Sequence, residues 1–418
     1  MNRRRFLGST AAGLAGLGLA PRIARAAPAA ADRKFVFVFA SGGWDVTRTF
    51  ADGFDIDGVD MEPLAERARV GGVDFIDHPA RPSVRAFFEQ NAADLLVLNG
   101  VQVRSIAHEI CTMIALTGDT SGFKPDWATI LAAEAGARYT LPHLVLGGPS
   151  FVGTLGTAVA RTGASGQLEA LLSGEILSWS DLPAPGLAAP SRALVDHFVS
   201  ARARGEVEGA RSAARKAQLA AFETAHGRAR GLKDYRYVMD FATGATLEDR
   251  AKVAVDALSV GLSRCVSLDY TGGTSWDTHA NNDEDQSGLW EGLFAGLGNL
   301  VARLRAAPGA TGGSLADETV LVVLSEMGRT PALNRTIGKD HWPYTSMMLM
   351  GPGITTGRVL GGWDDRWYGL PVDLASGEVA SSGRTLSAEA VGGALLTLGG
   401  VDPAAWVSGA DPLLGMLG

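Results

Sequence analysis

Short apolar runs alternate along this chain with segments of helical periodicity. The runs show no polar residue at every second position, which is typical of strands buried on both faces of a parallel sheet. The strand-like runs are residues 35–40, 95–98, 143–148, 265–268, 319–324 and 346–350. The helix-like segments between and after them are residues 106–116, 127–135, 289–305 and 388–398. The alternation predicts an α/β fold built from βαβ units.

The pattern changes between about residues 191 and 262. Ala, Arg, Glu and Leu recur there at helical spacing, with almost no strand signal. We therefore predict two or three amphipathic helices that are inserted into the sheet or packed over it, with their charges on a solvated face. The predicted organisation is a signal segment, residues 1–26, and a single domain, residues 27–418, that carries this helical insert.

Composition limits the classes of function. A chain of 418 residues with 46% hydrophobic and 20% charged residues can bury a large core. Its formal charge of −8 argues against a nucleic-acid-binding protein, which needs a basic face. Cys111 and Cys265 both lie in apolar contexts, so two separate buried thiols are favoured over a disulfide, which an oxidising compartment would also allow.

The first residues have the character of an export signal. Arg3, Arg4 and Arg5 precede Phe-Leu, a moderately apolar stretch and an Ala-Arg-Ala cleavage site at 24–26. The arginines match the twin-arginine signal, so the twin-arginine export machinery is an expected partner and the periplasm the expected location. An uncleaved N-terminal anchor is the alternative. No later segment has 18 uninterrupted apolar residues, so we expect no stable membrane span in the mature chain.

Candidate site residues follow the predicted strands. Asp45 comes just after the run 35–40, behind Gly42 and Gly43, and a carboxylate at a strand end can reach a cation. Asp277 and His279 follow the run 265–268, two positions apart, so both fall on one face of an extended segment. Ordinary turn chemistry, with a hydrogen-bonded surface histidine, is the alternative interpretation of each.

The densest group follows the run 319–324. Glu326 is a candidate metal ligand and Arg329 a candidate grip for an anionic oxygen, unless the two form only a buried ion pair at a helix start. Asp340 and His341 repeat the carboxylate-imidazole pairing behind Lys339. Mixed oxygen and nitrogen ligands suit zinc or manganese better than calcium, which stays a third option.

Four motifs in order carry a family resemblance. They are Gly-Gly-Trp-Asp at 42–45, Trp-Asp-Thr-His at 276–279, Ser-Glu-Met-Gly-Arg-Thr-Pro at 325–331 and Gly-Lys-Asp-His-Trp-Pro at 338–343. With them the chain resembles the family called domain of unknown function 1501, within the alkaline phosphatase and sulfatase superfamily. The resemblance implies an alkaline phosphatase-like three-layer α/β sandwich with a mostly parallel central sheet, and metal-dependent cleavage of phosphate or sulfate esters.

The resemblance also assigns roles. Asp45 matches the superfamily's first metal-binding aspartate, Asp277 and His279 resemble later ligands, and His341 resembles the final ligand histidine. Two positions depart from the superfamily pattern. Met327 stands where an imidazole is usual, and His108 stands where the nucleophilic hydroxyl or thiol is usual, so a serine-type covalent intermediate is not expected.

These features predict an exported hydrolase of phosphate or sulfate esters that uses a divalent metal. His108 would lie near the reacting group, and Arg329 or Lys339 would neutralise charge on a small anionic substrate. The alternative is a catalytically silent relative that binds an anionic or carbohydrate ligand or a periplasmic partner. A structural or interaction role through the helical insert is a third option.

Overall fold

The computed structural model describes residues 28–161, 187–235 and 246–418. The predicted signal segment, residues 1–26, therefore lies outside the described residues. The described strands are β1 (Lys34–Phe39), β2 (Glu66–Val70), β3 (Val73–Asp77), β4 (Leu95–Gln102), β5 (His143–Val145), β6 (Val159–Arg161), β7 (Cys265–Asp269), β8 (Thr319–Leu324), β9 (Gly328–Arg329), β10 (His341–Trp342), β11 (Tyr344–Met350), β12 (Arg358–Gly361), β13 (Pro371–Val372) and β14 (Arg384–Thr385).

The helices lie between these strands. Within the described ranges they are α1 (Pro82–Asn91), α2 (His108–Thr117), α3 (Trp127–Glu134), α4 (Ala189–Gly209), α5 (Ala213–Gly231), α6 (Leu247–Ser259), α7 (Asn282–Ala306) and α8 (Ala388–Leu398). None of the described helices is long and apolar enough to cross a membrane.

Eight strands form the central sheet, in the order β12-β4-β11-β8-β1-β7-β5-β6. All neighbours pair in parallel except β11, which is antiparallel to both β4 and β8. Side chains of β1 alternate between two apolar layers: Val36 packs with α1, α6 and α7, while Phe35 packs with α2, α3 and α8. The predicted three-layer α/β sandwich with a mostly parallel sheet is confirmed.

Several helices and strands begin or end at other residues than predicted. Helix α7 begins seven positions before the predicted 289, because Asp283, Glu284 and Asp285 favour the positive end of the helix dipole without contributing to the apolar pattern. Strand β4 extends to Gln102, since β11 pairs with it as far as that residue. The sequence pattern did not predict the β2–β3 hairpin or α1.

The range predicted as a helical insert contains helices of two kinds. Helices α4 and α5 pack mainly on each other, and few of their residues are buried. Helix α6, by contrast, buries Ala251, Val253 and Leu258 in the core beside the sheet. The two buried cysteines, Cys111 and Cys265, are unpaired, as the favoured interpretation predicted.

Candidate functional site

The candidate site lies where neighbouring strands end. Strands β8, β1 and β7 are adjacent and parallel, so the loops after Leu324, Phe39 and Asp269 leave the same edge of the sheet. These loops carry the motifs at 325–331, 42–45 and 276–279. The convergence at the carboxyl edge follows from parallel pairing alone.

Three tryptophans hold two of these loops in place. Trp44 stacks on Trp290 of α7 with ring centroids 4.8 Å apart, and Trp276 meets both rings edge-on. All three are fully buried. The indole nitrogen of Trp44 donates to Thr345 Oγ1, that of Trp290 to the Asp45 carbonyl, and that of Trp276 to the Tyr270 carbonyl. The tryptophans of both motifs therefore serve as packing anchors rather than ligands.

Arg329 ties the loops together from below. Its guanidinium donates to the carbonyl oxygens of Gly43 (2.8 Å), Trp276 (3.1 Å) and Lys339 (3.1 Å), and to Asp277 Oδ1 (2.6 Å). The side chain is fully buried. Burial raises the pKa of the Asp277 carboxyl, but the hydrogen bonds from Arg329 and His341, together with the charges of Arg329 and His108, outweigh this effect and lower the pKa to about 2. Arg329 is thus a positioning residue for Asp277.

The loop that contains residues 42–45 packs closely against Met327 and Arg329, which explains why position 43 is a glycine. Gly43 has φ +83°, and a Cβ added to it would lie 2.8 Å from Met327 Cγ and 3.3 Å from Arg329 Nε. Gly58 has φ +82°, but a Cβ there would meet nothing within 4 Å. The two positions therefore share the same backbone demand and differ in packing.

We expect Gly43→Ala to destabilise the protein more than Gly58→Ala. Each substitution costs about 1–2 kcal/mol from the left-handed backbone, and crowding adds about 1–3 kcal/mol at Gly43 alone. Urea unfolding of both variants measures the difference in the free energy of unfolding. Equal losses would show that the loop relaxes freely around position 43.

Three histidines surround Asp277. His341 Nε2 and His279 Nε2 lie 3.0 Å and 3.1 Å from Asp277 Oδ1, and His108 Nε2 lies 3.4 Å from Asp277 Oδ2. The two nearer imidazoles are themselves 3.0 Å apart, Nε2 to Nε2. One ligand atom each from His108, Asp277 and His341 can be chosen so that all lie within 4.8 Å of one another. This spacing would allow the three atoms to bind one ion.

Each imidazole is oriented through its other nitrogen. The acceptors facing Nδ1 are Glu326 Oε1 for His108 (2.9 Å), Asp340 Oδ1 for His279 (2.9 Å) and the Ile106 carbonyl for His341 (2.6 Å). A proton on Nδ1 leaves a lone pair on Nε2 of a neutral ring. Histidines that bind metals are typically held in this way.

The donor set fits a divalent cation. Three Nε2 lone pairs and a carboxylate would repel one another at these distances unless protons or a cation lie among them. Moreover, His108 Nε2 is buried and has no hydrogen-bond partner among the described residues. Nitrogen and carboxylate donors in this mixture suit zinc or manganese.

Asp45 and Lys339 lie in a separate buried cluster. Asp45 Oδ2 is 3.0 Å from Lys339 Nζ and 3.1 Å from Arg48 Nε, and it accepts a 2.8 Å hydrogen bond from Asn282. Burial raises the pKa of Asp45, but the charges of Lys339 and Arg48 hold it well below its usual range. Burial lowers the pKa of Lys339. This cluster supports the 42–45 loop from within.

The predicted site residues lie in two positions relative to Asp277: some face it directly, and others lie behind the imidazoles. Asp277, His279 and His341 come together as predicted ligands would, and His108, predicted as a catalytic group, joins them. Glu326 and Asp340, predicted as ligands, lie behind His108 and His279 instead. Their ligand role stays a prediction. His108 follows the end of β4, so the strand-end rule that located the other candidates could also have placed it among the ligands.

The charge-neutralising roles predicted for Arg329 and Lys339 require contact with a substrate. Both side chains are fully buried, and both are engaged with protein groups, Arg329 with Asp277 and Lys339 with Asp45. In this arrangement neither reaches solvent. The structure therefore places both beneath the site, where Lys339 offsets the charge of the buried Asp45 and Arg329 that of the partly exposed Asp277.

An open cavity of about 500 Å³ adjoins His108 and Asp277. His108, Asp277 and Glu326 contribute to its wall, together with the less polar side chains of Met113 and Phe151. Small ligands are typically bound in concave sites of this size that combine apolar walls with a few polar groups. The donor set therefore borders a space that can admit a substrate.

Comparison with known proteins gives a family and several distant structures. A family model described as "Protein of unknown function (DUF1501)" matches residues 32–374. No curated protein matches the chain. Ps i-CgsB, solved in complex with k-i-k-neocarrahexaose, is 12% identical with a TM-score of 0.42, over 91% of this chain and 75% of that one.

Two further solved structures show similar values. The PsFucS1 sulfatase from Pseudoalteromonas sp. is 11% identical with a TM-score of 0.38, over 92% of this chain and 72% of that one. A phosphonate monoester hydrolase from Silicibacter pomeroyi is 11% identical with a TM-score of 0.34, over 91% of this chain and 78% of that one.

Proposed function

The chain belongs to the DUF1501 family, and we propose that it is an exported, metal-dependent hydrolase of phosphate or sulfate esters. One observation carries the proposal: three imidazole Nε2 atoms converge on the Asp277 carboxylate beside an open cavity. Export through the twin-arginine pathway to the periplasm rests on the arginines near the N-terminus.

His108, Asp277 and His341 would hold the ion, with His279 as a fourth candidate donor. A bound zinc or manganese ion would polarise the ester and lower the pKa of a water. The protein's part is to orient the imidazoles through Glu326, Asp340 and the Ile106 carbonyl, each of which faces an Nδ1. Hydrolysis consumes one water: its oxygen bonds to phosphorus or sulfur, and the leaving oxygen departs as an alcohol after gaining a proton.

A second candidate is a catalytically silent protein that binds an anionic or carbohydrate ligand or a periplasmic partner. Met327, at the position where related hydrolases carry an imidazole, is fully buried and packs in the apolar core. It offers no ligand to the site, and His108 replaces the usual nucleophile. These two positions favour binding without turnover over a two-metal, covalent mechanism.

We expect zinc- or manganese-loaded protein to hydrolyse 4-nitrophenyl phosphate or sulfate esters, and to lose this activity on treatment with a chelator. His341→Ala should reduce turnover at least about 100-fold, because it removes a candidate ligand. The matched control is His197→Ala, which removes an exposed imidazole on α4. Rates and metal content are measured together.

Three outcomes would decide between the candidates. Metal-dependent turnover that His341→Ala abolishes supports the hydrolase. Stoichiometric metal without turnover of any ester favours the silent binding protein. Protein that retains no metal after exposure to zinc and manganese, and in which His341→Ala behaves like His197→Ala, contradicts both the metal site and the hydrolase.

A further inference from the structure

The wall of the site cavity is acidic. It includes the carboxylates of Glu109, Asp277 and Glu326, and among the described residues that line it there is no lysine or arginine. Glu109 lies in the first turn of α2 and is exposed. A cavity that receives multiply charged anions normally presents cationic side chains to them.

The nearest cations lie beneath the cavity and not on its wall. Arg329 and Lys339 are fully buried and are already paired with Asp277 and Asp45. Moving Lys339 to the cavity would leave the buried Asp45 without that counter-charge, and moving Arg329 would break its bonds to Asp277 and to the backbone carbonyls of three loops, so both changes are costly. A substrate in the cavity therefore faces the three wall carboxylates and the ion, and no cationic side chain among the described residues that line it.

Counting these charges gives a clear preference. Three carboxylates, the Arg329 guanidinium that is bonded to Asp277, and one divalent ion sum to 0 when the imidazoles are neutral, so the site offers no net positive charge to a second negative charge of the ligand. A phosphate monoester would add two negative charges at pH 8, whereas a sulfate monoester or a phosphate diester adds one. The acidic wall penalises the second charge in a partly desolvated space.

The rest of the cavity wall is formed by uncharged side chains. Met113 and Phe151 supply apolar surface, and Ser41, Thr112 and Ser275 supply hydroxyls that can donate hydrogen bonds without adding charge. Ser275 Oγ accepts from the Asp277 backbone N–H at 3.1 Å, so its own proton stays available. Neutral donors of this kind can hold a singly charged oxyanion.

We propose that this site selects singly charged tetrahedral esters, meaning sulfate monoesters or phosphate diesters with an uncharged remainder. Glu109 is the specificity-determining residue that disfavours doubly charged phosphate monoesters. This inference rests on the proposed function for turnover, although the charge preference itself concerns binding and can be measured without it.

The test uses zinc-loaded, full-length protein and three small probes at pH 8. Calorimetry should show methyl sulfate or dimethyl phosphate binding at least about tenfold more tightly than methyl phosphate, which carries the second charge. Glu109→Gln should shrink this ratio by about fivefold to tenfold, while Glu208→Gln, which removes an exposed charge on α4, should leave it unchanged. If methyl sulfate binds more tightly than dimethyl phosphate, the preferred substrate is a sulfate monoester; the reverse order identifies a phosphate diester.

The matching 4-nitrophenyl esters then test turnover separately. Selective binding without turnover of any ester keeps the charge preference and rejects the hydrolase. Turnover with methyl phosphate bound as tightly as the singly charged probes rejects the charge preference and keeps the hydrolase. The preference is also overturned if none of the probes binds, or if Glu109→Gln changes the ratio no more than Glu208→Gln.

Discussion

Asp277→Asn should lose divalent metal and, with it, ester turnover by at least about 100-fold. All three imidazoles approach the Asp277 carboxylate, and both of its oxygens are engaged. Asparagine keeps the size of the side chain but removes the negative charge that offsets the ion. It also leaves Arg329 without its charged partner.

The comparison variant is Asp340→Ala. Asp340 contacts Nδ1 of His279 and is more than half exposed, so its loss should weaken metal affinity by only about tenfold. Metal titration of both variants, followed by ester assays, measures the order. Circular dichroism shows whether Asp277→Asn still folds. Metal affinity that falls further in Asp340→Ala than in Asp277→Asn would contradict the central position of Asp277.

The pKa of Asp277 adds a check on pH dependence. Because its pKa is lowered to about 2, the carboxylate stays charged throughout the range in which the protein can be assayed. Protonation of Asp277 therefore cannot cause a loss of metal binding between pH 5 and pH 8. Any loss in that range must come from other groups of the site.

Glu318→Gln should destabilise the protein by about 3 kcal/mol at pH 7. Glu318 is buried, accepts a 2.6 Å hydrogen bond from Lys34 Nζ, and accepts two more from Thr311. Burial raises the pKa of Glu318, but the bond from Lys34 and those from Thr311 outweigh it and lower the pKa to about 2. Glutamine leaves the Lys34 ammonium buried without a counter-charge.

The sign of the pH effect follows from this lowered pKa. The unfolded chain releases the proton of Glu318 near pH 4.5, and the folded chain releases it near pH 2. The stabilisation is therefore complete above about pH 4.5 and is lost as the pH falls towards 2. The difference between wild type and Glu318→Gln should shrink over the same range.

Urea unfolding at pH 7 and at pH 3.5 measures this difference. Asp411→Asn is the control, because Asp411 pairs with Arg384 at the surface and should contribute less than about 1 kcal/mol. A difference for Glu318→Gln that stays constant between the two pH values would show that the pKa of Glu318 is not lowered in the folded protein. The pair lies at the start of β1 and β8, at the opposite end of these strands from the site.

The layout of the sheet could be predicted because it depends on local pattern. Runs such as 319–324 have no polar face, so burial on both sides follows directly, and the loop after each run is expected to hold polar residues near an edge of the sheet. The antiparallel pairing of β11 with β8 could not be predicted in this way, because β11 is equally apolar and buried. Helix α8 was predicted with its observed bounds for the same reason. The start of α7 was wrong, since its first turn is acidic rather than apolar.

The division of labour among the charged residues could not be predicted from their order in the chain. Asp45 and Asp277 each follow a strand, yet Asp45 is enclosed by Lys339 and Arg48 while Asp277 faces the cavity. The sequence predicted that Arg329 binds a substrate anion, but in the structure its guanidinium donates hydrogen bonds to backbone carbonyls of three separate loops. The contact with Gly43 joins residues 286 positions apart.

The sequence by itself determined the sheet, the edge at which polar groups gather and the family, because apolar period and motif order are properties of neighbouring residues. Only the tertiary structure decided that His108 joins Asp277 and His341, that Glu326 and Asp340 orient imidazoles, and that the cavity wall is acidic. Those properties depend on which side chains share a few ångströms of space and which lie beneath them, and burial and charge pairing set both.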